Sequence, residues 1–372
     1  MKLTFFCNYL NHHQVWVADE LYKLLGDNFK FVTTMPFNPE ELKGGDDYTL
    51  RPYCINSITD FNTAMNYALN SEVCVFGAGS QAFAIERAKR NPTGLSFEVS
   101  ERWLKKGFIN IFSPNFLRWY KNYILFFRKA NFHKLCSSGF VKRDDEMLGC
   151  YKGKHYKWGY FTNVNSETVS EKIGSSKIRI MWCGRFLKLK HPELAVYMAK
   201  SLKSEGYDFE LDFYGGGDFE SKVKTLVTGL DLDDVVTFHG AVPNDEALEA
   251  MRQHDIFIFS SNKEEGWGAV ANEALSNGCV LVASKDIGSS PYLIENGQNG
   301  FCFKTKDFMS LTDQVRWLLN HPSDLQKMKH NAFNTMKNIW NPKNAAHSLL
   351  TLIDDLTKGK ESSLNEGPCS KA

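Results

Sequence analysis

Two carboxylates and two cations in the second half of the chain have the types and spacing to hold an anionic, hydroxyl-rich ligand. Glu265 and Glu273 lie eight residues apart, with Gly266-Trp267-Gly268 directly after the first. The apolar run Ile256–Ser260 reads as a buried strand that ends in the polar loop Ser261–Glu264. The two glycines let backbone approach a ligand, and a helix is predicted to begin near Gly268. Free amides at a helix start, here Ala269 and Val270, suit a phosphate. Glu265 then falls in the loop and Glu273 about one and a half turns into the helix, so they can touch different parts of one extended ligand. Upstream, Arg185 and Lys190 stand five apart just past another strand-like run. A diphosphate leaving group needs its charge neutralised as its bond breaks, and two such cations supply that without a metal. Singly, each residue has an ordinary reading as a solvated loop or helix charge. The four together point to a ligand site.

These residues resemble a known family. Glu265 and Glu273, with Gly-Trp-Gly after the first, match the E-x7-E signature of the retaining, GT-B-fold glycosyltransferases of family 4. Gly184-Arg185-Phe186-Leu187-Lys188-Leu189-Lys190 resembles the G-R-x4-K stretch of that family, whose Arg and Lys grip the donor diphosphate. Phe213-Tyr214-Gly215-Gly216-Gly217-Asp218 resembles its strand-end glycine loop, and Phe238-His239-Gly240-Ala241-Val242 its loop near the base. The elements occur in the family's order from Ile178 to Glu295; the first half of the chain matches only in its alternation of elements. The resemblance implies transfer of a sugar from a nucleotide diphosphate donor to a glycan or lipid-linked saccharide, as in polysaccharide biosynthesis. Configuration would be retained by front-side attack, with the departing diphosphate helping to deprotonate the acceptor hydroxyl. It assigns Arg185 and Lys190, with the Ala269 and Val270 amides, to the diphosphate. Glu273 goes to the ribose, and Glu265 with the Gly266–Gly268 backbone, Trp267 included, to the sugar hydroxyls. Gly184, Gly216 and Val242 would contact the donor. A UDP-sugar is favoured, although Asn244, Asp245 and Glu246 after the base loop suit uracil or guanine. No metal and no separate cofactor are expected.

Three other patterns compete. Asp231-Leu232-Asp233 is a D-x-D triplet, the form that holds a divalent ion in other glycosyltransferases, but it precedes a strand and reads as turn chemistry. Val73–Phe76 followed by Gly77-Ala78-Gly79 fits the dinucleotide fingerprint, with Glu98 about twenty residues on. That leaves an NAD(P)-linked oxidoreductase as one alternative, and a catalytically silent nucleotide-sugar binder as another. Neither explains the four charged residues as well. On the acceptor side, Asn8–Gln14 lacks the glycine-rich loop of the family, and His12 and His13 are either cleft-facing or merely exposed at a helix start. Leu95–Arg102 lacks the family's strand-end His. Glu101 there has either a base or acceptor-orienting role, or is a helix-start acid favoured by the dipole.

The elements that must position these residues alternate strand and helix in the first half: Leu3–Cys7, Val15–Leu25, Phe29–Thr33, Phe61–Leu69, Val73–Phe76, Leu95–Val99, a long helix around Asn115–Lys129, and a further strand-to-helix unit from Leu135–Ser137. The second half restarts with Ile178–Cys183, a helix over Pro192–Ser204, then Phe209–Tyr214, Val235–His239, Ile256–Ser260 and Val280–Ser284. This alternation predicts two Rossmann-like, doubly wound α/β domains facing across a cleft, the GT-B fold, with ligands at the strand ends. The predicted division is an acceptor-binding domain over residues 1–165, a linker over 166–177 and a nucleotide-sugar domain over 178–340. A terminal helix over 341–356 would cross back to the first domain, and a polar tail over 357–372 reads as disordered.

A net charge of +1 gives no overall field directed at nucleic acid or membrane, so any charge preference must be local. Nine scattered cysteines without a C-x-x-C pair read as buried thiols of a reducing compartment. With no 18-residue apolar run and no leader pattern at Met1–Cys7, a cytoplasmic enzyme is expected. The segment 113–134 is rich in aromatic and basic residues and has no acid. It reads either as a helix packed on the sheet or as a peripheral contact with an anionic inner membrane face.

Overall fold

A computed structural model describes residues 1–36, 48–164 and 177–372. The expected linker therefore lies outside the described residues except for Lys177. The chain divides into two compact units: Met1–Asn163 together with Ile339–Ala372, and Val164–Asn338.

The described residues of the first unit form a seven-stranded sheet in the order β3-β2-β1-β4-β5-β6-β7. These strands are β1 Leu3–Cys7, β2 Phe29–Thr33, β3 Cys54–Asn56, β4 Val73–Phe76, β5 Leu95–Ser100, β6 Phe132–Cys136 and β7 His155–Lys157. The helices between them are α1 Val15–Leu25, α2 Phe61–Asn70, α3 Gln81–Arg90, α4 Pro114–Leu125 and α5 Val141–Met147. All pairings among the seven strands are parallel. Central strands such as β4, Val-Cys-Val-Phe, are buried along their whole length because helices cover both faces.

In the second unit the described strands run β10-β9-β8-β11-β12-β13, again parallel. They are β8 Ile178–Cys183, β9 Phe209–Tyr214, β10 Val236–Gly240, β11 Ile256–Phe259, β12 Val280–Ser284 and β13 Gly300–Phe303. The helices are α6 Glu193–Ser204, α7 Glu220–Gly229, α8 Asn244–Gln253, α9 Val270–Ser276, α10 Ser290–Leu293, α11 Phe308–Asn320 and α12 Pro322–Asn334. On α6 the residues Leu194, Met198 and Leu202, four apart, are buried against the sheet, as their spacing predicts.

Strand order reverses between β1 and β4 in one sheet and between β8 and β11 in the other. At such a reversal the loops leave the strand ends in opposite directions and open a crevice for a ligand. Both loops that carry the four charged residues leave the second of these points.

The three strands absent from the sequence reading, β3, β7 and β13, are short. Periodicity has little to act on in three or four residues, and β13 begins with Gly300. A Cβ there would sit 2.4 Å from the Leu281 carbonyl of β12, so only glycine lets the strands pair.

The tail corrects an expectation. Helix α13, Pro342–Thr357, lies in the first unit and packs on α1. The polar residues after it are ordered rather than disordered. Cys369 N–H donates to the Lys157 carbonyl (2.7 Å) and Lys157 N–H to the Ser370 carbonyl (2.8 Å). Lys371 bridges Tyr156 in antiparallel fashion. The open edge of β7 supplies hydrogen-bonding groups that composition does not reveal.

Candidate functional site

The loop after β8 is fixed by backbone crossings that demand glycine. Gly184 N–H donates to the Tyr214 carbonyl (3.0 Å), and Phe186 N–H to the Gly216 carbonyl (2.9 Å). Gly215 has φ of 115°, and a Cβ on it would lie 2.0 Å from the Gly184 carbonyl oxygen. The glycine loop after β9 thus holds the backbone around Arg185, whose side chain is exposed. Phe186 alongside is fully buried, anchoring the loop in the core.

Lys190 is held from the other side. Trp182 Nε1 donates to Ser260 Oγ (3.0 Å), which donates to the Lys190 carbonyl (2.7 Å). Asn262 N–H donates to the Leu189 carbonyl (2.9 Å). These bonds join the loops after β8 and β11 and bring Lys190 Nζ into a direct ion pair with Glu265. Both side chains are mostly buried, with 16% and 14% exposure, and Ser261 Oγ donates to the same carboxylate oxygen (3.1 Å). The sequence spacing gave no sign of this pairing, because the partners are 75 residues apart.

Gly268 has φ of 82°, and a Cβ there would meet the Phe259 ring at 2.3 Å. The chain turns tightly at this point into α9. No backbone hydrogen bond is made by the Ala269 and Val270 amides among the described residues. Glu273 falls in the first turn of α9, earlier than the sequence placed it. Burial alone raises its carboxyl pKa to about 7 from the usual 4.5, and no side-chain partner offsets that among the described residues. Its charge also reaches the end of β8, where it helps push the Cys183 thiol up to about 12, after burial itself and against Lys190. Arg185, Lys190, Glu265, Glu273 and the two free amides thus follow the ends of β8 and β11.

Two expected contacts change. Trp267 is fully buried, with its indole N–H on Asn272 Oδ1 (2.7 Å), so it braces the loop from within and cannot meet a ligand. Gly266 is buried beside it, whereas Gly216 and Val242 are partly exposed. Asp231 and Asp233 lie in an exposed turn ahead of β10, where Asp231 has φ of 54° and Asp233 accepts from Thr228 Oγ1 (3.0 Å).

In the first unit the ends of β1, β4, β5 and β6 line a cavity of about 680 Å³. Among the described residues, buried polar atoms on its lining without a hydrogen-bond partner include Asn11 Oδ1, Gln14 Oε1, Ser100 Oγ, Trp103 Nε1 and Ser137 Oγ. Sequence reasoning missed them because they come from separate loops that share no motif. Glu101 also lines the cavity, accepting from Tyr160 O–H (2.7 Å) and pairing with Lys105 Nζ (2.5 Å). The helix-start reading of Glu101 does not hold, because the next α-helix begins only at Pro114. His13 stacks on the Tyr160 ring at 3.9 Å and lines the same cavity.

Gly77-Ala78-Gly79 turns at the end of β4 into that lining. The acid of the dinucleotide reading is occupied: Glu98 accepts from Trp119 Nε1 (2.7 Å) and Tyr151 O–H (2.6 Å) and faces the buried Lys134 Nζ (3.2 Å). A ribose would have to break this network.

Residues 165–335 match the family described as "Glycosyl transferases group 1". Over 139 residues the chain is 30% identical to the amylovoran biosynthesis glycosyltransferase AmsK of Erwinia amylovora, covering 36% of this chain and 34% of that protein. It is 28% identical over 157 residues to the D-inositol 3-phosphate glycosyltransferase of Arthrobacter sp. (strain FB24), covering 41% and 36%. The chain thus spans about a third of the length of these curated relatives. Its structure resembles that of Anabaena Alr3699/HepE, solved in complex with UDP, with a TM-score of 0.69 at 14% identity, covering 95% of this chain and 100% of the other. The fold is GT-B. At such low identity this likeness shows the fold alone.

Proposed function

We propose that the protein is a glycosyltransferase that uses a nucleotide diphosphate sugar, a UDP-sugar by preference, and retains anomeric configuration. The observation that carries this reading is the gathering of Arg185, Lys190, Glu265 and Glu273 at one strand-order reversal, inside the stretch that matches the family. The UDP complex of the similar Anabaena protein supports the choice of base.

In this reading the Lys190–Glu265 ion pair exchanges partners. The diphosphate takes over Lys190, assisted by Arg185 and the Ala269 and Val270 amides, and neutralises the charge that develops on the leaving group. Glu265 is released to accept hydrogen bonds from sugar hydroxyls. Glu273 accepts from the ribose hydroxyls, contacts that favour its ionised form against the burial that disfavours it. The saccharide acceptor, free or lipid-linked, occupies the first unit's cavity, where the unpartnered polar atoms offer both donors and acceptors to hydroxyls. Glu101 orients the acceptor hydroxyl, and the departing diphosphate takes its proton. The two cations make a metal unnecessary.

A thermal-shift screen of nucleotide sugars and NAD tests the reading. UDP or a UDP-sugar should raise the melting temperature and NAD should not. Transfer should persist in EDTA, and activity that vanishes on chelation and returns with Mn²⁺ would overturn the metal-free mechanism. Binding of UDP-sugar without turnover on any saccharide acceptor would leave a silent binder.

A further inference from the structure

The large cavity of the first unit has a small neighbour that the proposed reaction does not use. A chamber of about 40 Å³ lies between α1 and the sheet and shares Gln14, Ser137 and Tyr160 with the large cavity. Its other walls are apolar, among them Val17, Ala18 and Leu21 of α1, Phe31 of β2, Val75 of β4 and Phe161. Phe5, at the middle of β1, is the one residue of that strand that is not buried, and it too lines the chamber. A close-packed interior leaves few voids of this size. There is room by volume for about three waters, yet apolar walls give water almost nothing to bond.

Unmet polar atoms stand where the two spaces adjoin. Gln14 Nε2 donates to Cys7 Sγ (3.4 Å). That leaves Gln14 Oε1, an atom that can only accept, buried without a partner among the described residues. Ser137 is 2% exposed, and its hydroxyl, which can donate, also has no partner among those residues. The Tyr160 ring beside them is fixed by its O–H on Glu101 (2.7 Å) and by the His13 ring stacked on it at 3.9 Å. An accepting atom, a donating hydroxyl and a small apolar chamber thus meet at one boundary.

We propose that the acceptor is an acetamido sugar: its methyl group fills the chamber, its amide N–H donates to Gln14 Oε1, and its carbonyl accepts from Ser137 Oγ. The inference rests on the reading of the large cavity as the acceptor site, and it makes Gln14, Ser137 and Ala18 determinants of specificity. Each simpler substituent leaves one feature unmet. A sugar hydroxyl satisfies the polar atoms and leaves the chamber empty. The methyl of a deoxy sugar fills the chamber and leaves two buried oxygens unpaired, which costs binding. An acetate ester has no N–H for Gln14. A free ammonium group finds no unengaged carboxylate in the lining, because Glu98 and Glu101 already have partners. A lipid chain is far too long for the volume.

Ligand-observed NMR titration of the 372-residue chain tests it, with N-acetylglucosamine, N-acetylgalactosamine and N-acetylmannosamine each compared with its parent hexose. At least one acetamido sugar should bind about tenfold more tightly than its parent, with saturation transfer strongest at the acetyl methyl. Ala18→Leu, which fills the chamber, should abolish that preference without lowering the melting temperature. Ser137→Ala removes a hydroxyl on which no described residue depends, so the fold should be untouched while the preference falls several-fold. A preference in none of the three pairs overturns the proposal. So does a preference that survives in both folded variants. UDP is titrated separately. A chain that binds UDP and shows no acetamido preference keeps the donor reading and loses this one. A chain that prefers the acetamido sugar and ignores UDP keeps this one and loses the donor reading.

Discussion

Glu265 and Lys190 show what a single residue's role depends on. Motif spacing identified both, yet only the fold shows that they neutralise each other directly. In the proposed reaction Arg185→Ala removes one cation and leaves that pair intact. Transfer should slow by about 2–4 kcal/mol of lost transition-state stabilisation, while the melting temperature stays unchanged. Equal kcat/KM in wild type and variant would remove Arg185 from the mechanism. Glu273 gives a prediction in pH. Its carboxyl pKa is raised to about 7 in the free protein, so below that pH it is mostly protonated. Contacts that favour the ionised form must lower that value in the complex. UDP affinity should therefore rise with pH up to about 7 and level off above it, with proton release on binding in the rising range. Calorimetry of Glu273→Gln should give a flat profile. A wild-type affinity that falls as pH rises would mean that Glu273 acts as a proton donor. The same raised pKa weakens the fold. Because the folded state holds the proton more tightly, stability declines as pH rises from about 4.5 to about 7, and Glu273→Gln should remove that decline.

At the scale of elements, the long strands and amphipathic helices were legible because burial on both faces writes continuous apolar runs and four-residue spacings into the sequence. Beta1, α1 and β2 carry the bounds that their patterns predict. The outer strands β3 and β7 were not legible: a segment of three residues is selected by its neighbour's hydrogen bonds rather than by its own side chains. The loops after β8, β9 and β11 were legible through their glycines. The cavity of the first unit was not, because Asn11, Ser100 and Ser137 become neighbours only when separate strands align. Gly268 tests how far the loop geometry matters. Gly268→Ala places a methyl group against the Phe259 ring at a positive φ, so the turn into α9 must shift. The expected result is a loss of UDP affinity of tenfold or more, about 1.4 kcal/mol, with the far-UV spectrum unchanged. Wild-type affinity in that variant would show that the α9 amides do not touch the donor.

For the whole molecule, the sequence located two α/β units but misjudged the tail, since its polarity is also what a surface strap on an open sheet edge requires. Cys369 is fully buried where that strap meets β7, at a φ of 65°. Cys369→Glu would bury a carboxylate there and should cost the first unit about 2–4 kcal/mol. UDP affinity should be unaffected, since the residues proposed to bind the donor belong to the second unit. Calorimetric melting and UDP titration of the same sample check both halves of this prediction. The strap and α13 also set an order of assembly. A ribosome releases Val164–Asn338 as one uninterrupted piece, able to fold as soon as it emerges. The unit whose synthesis begins first must wait, its β7 edge and the α1 surface uncovered, until Ile339–Ala372 follow. During translation the older half of this protein is therefore the later to mature, and it is the half that a chaperone would have to shield.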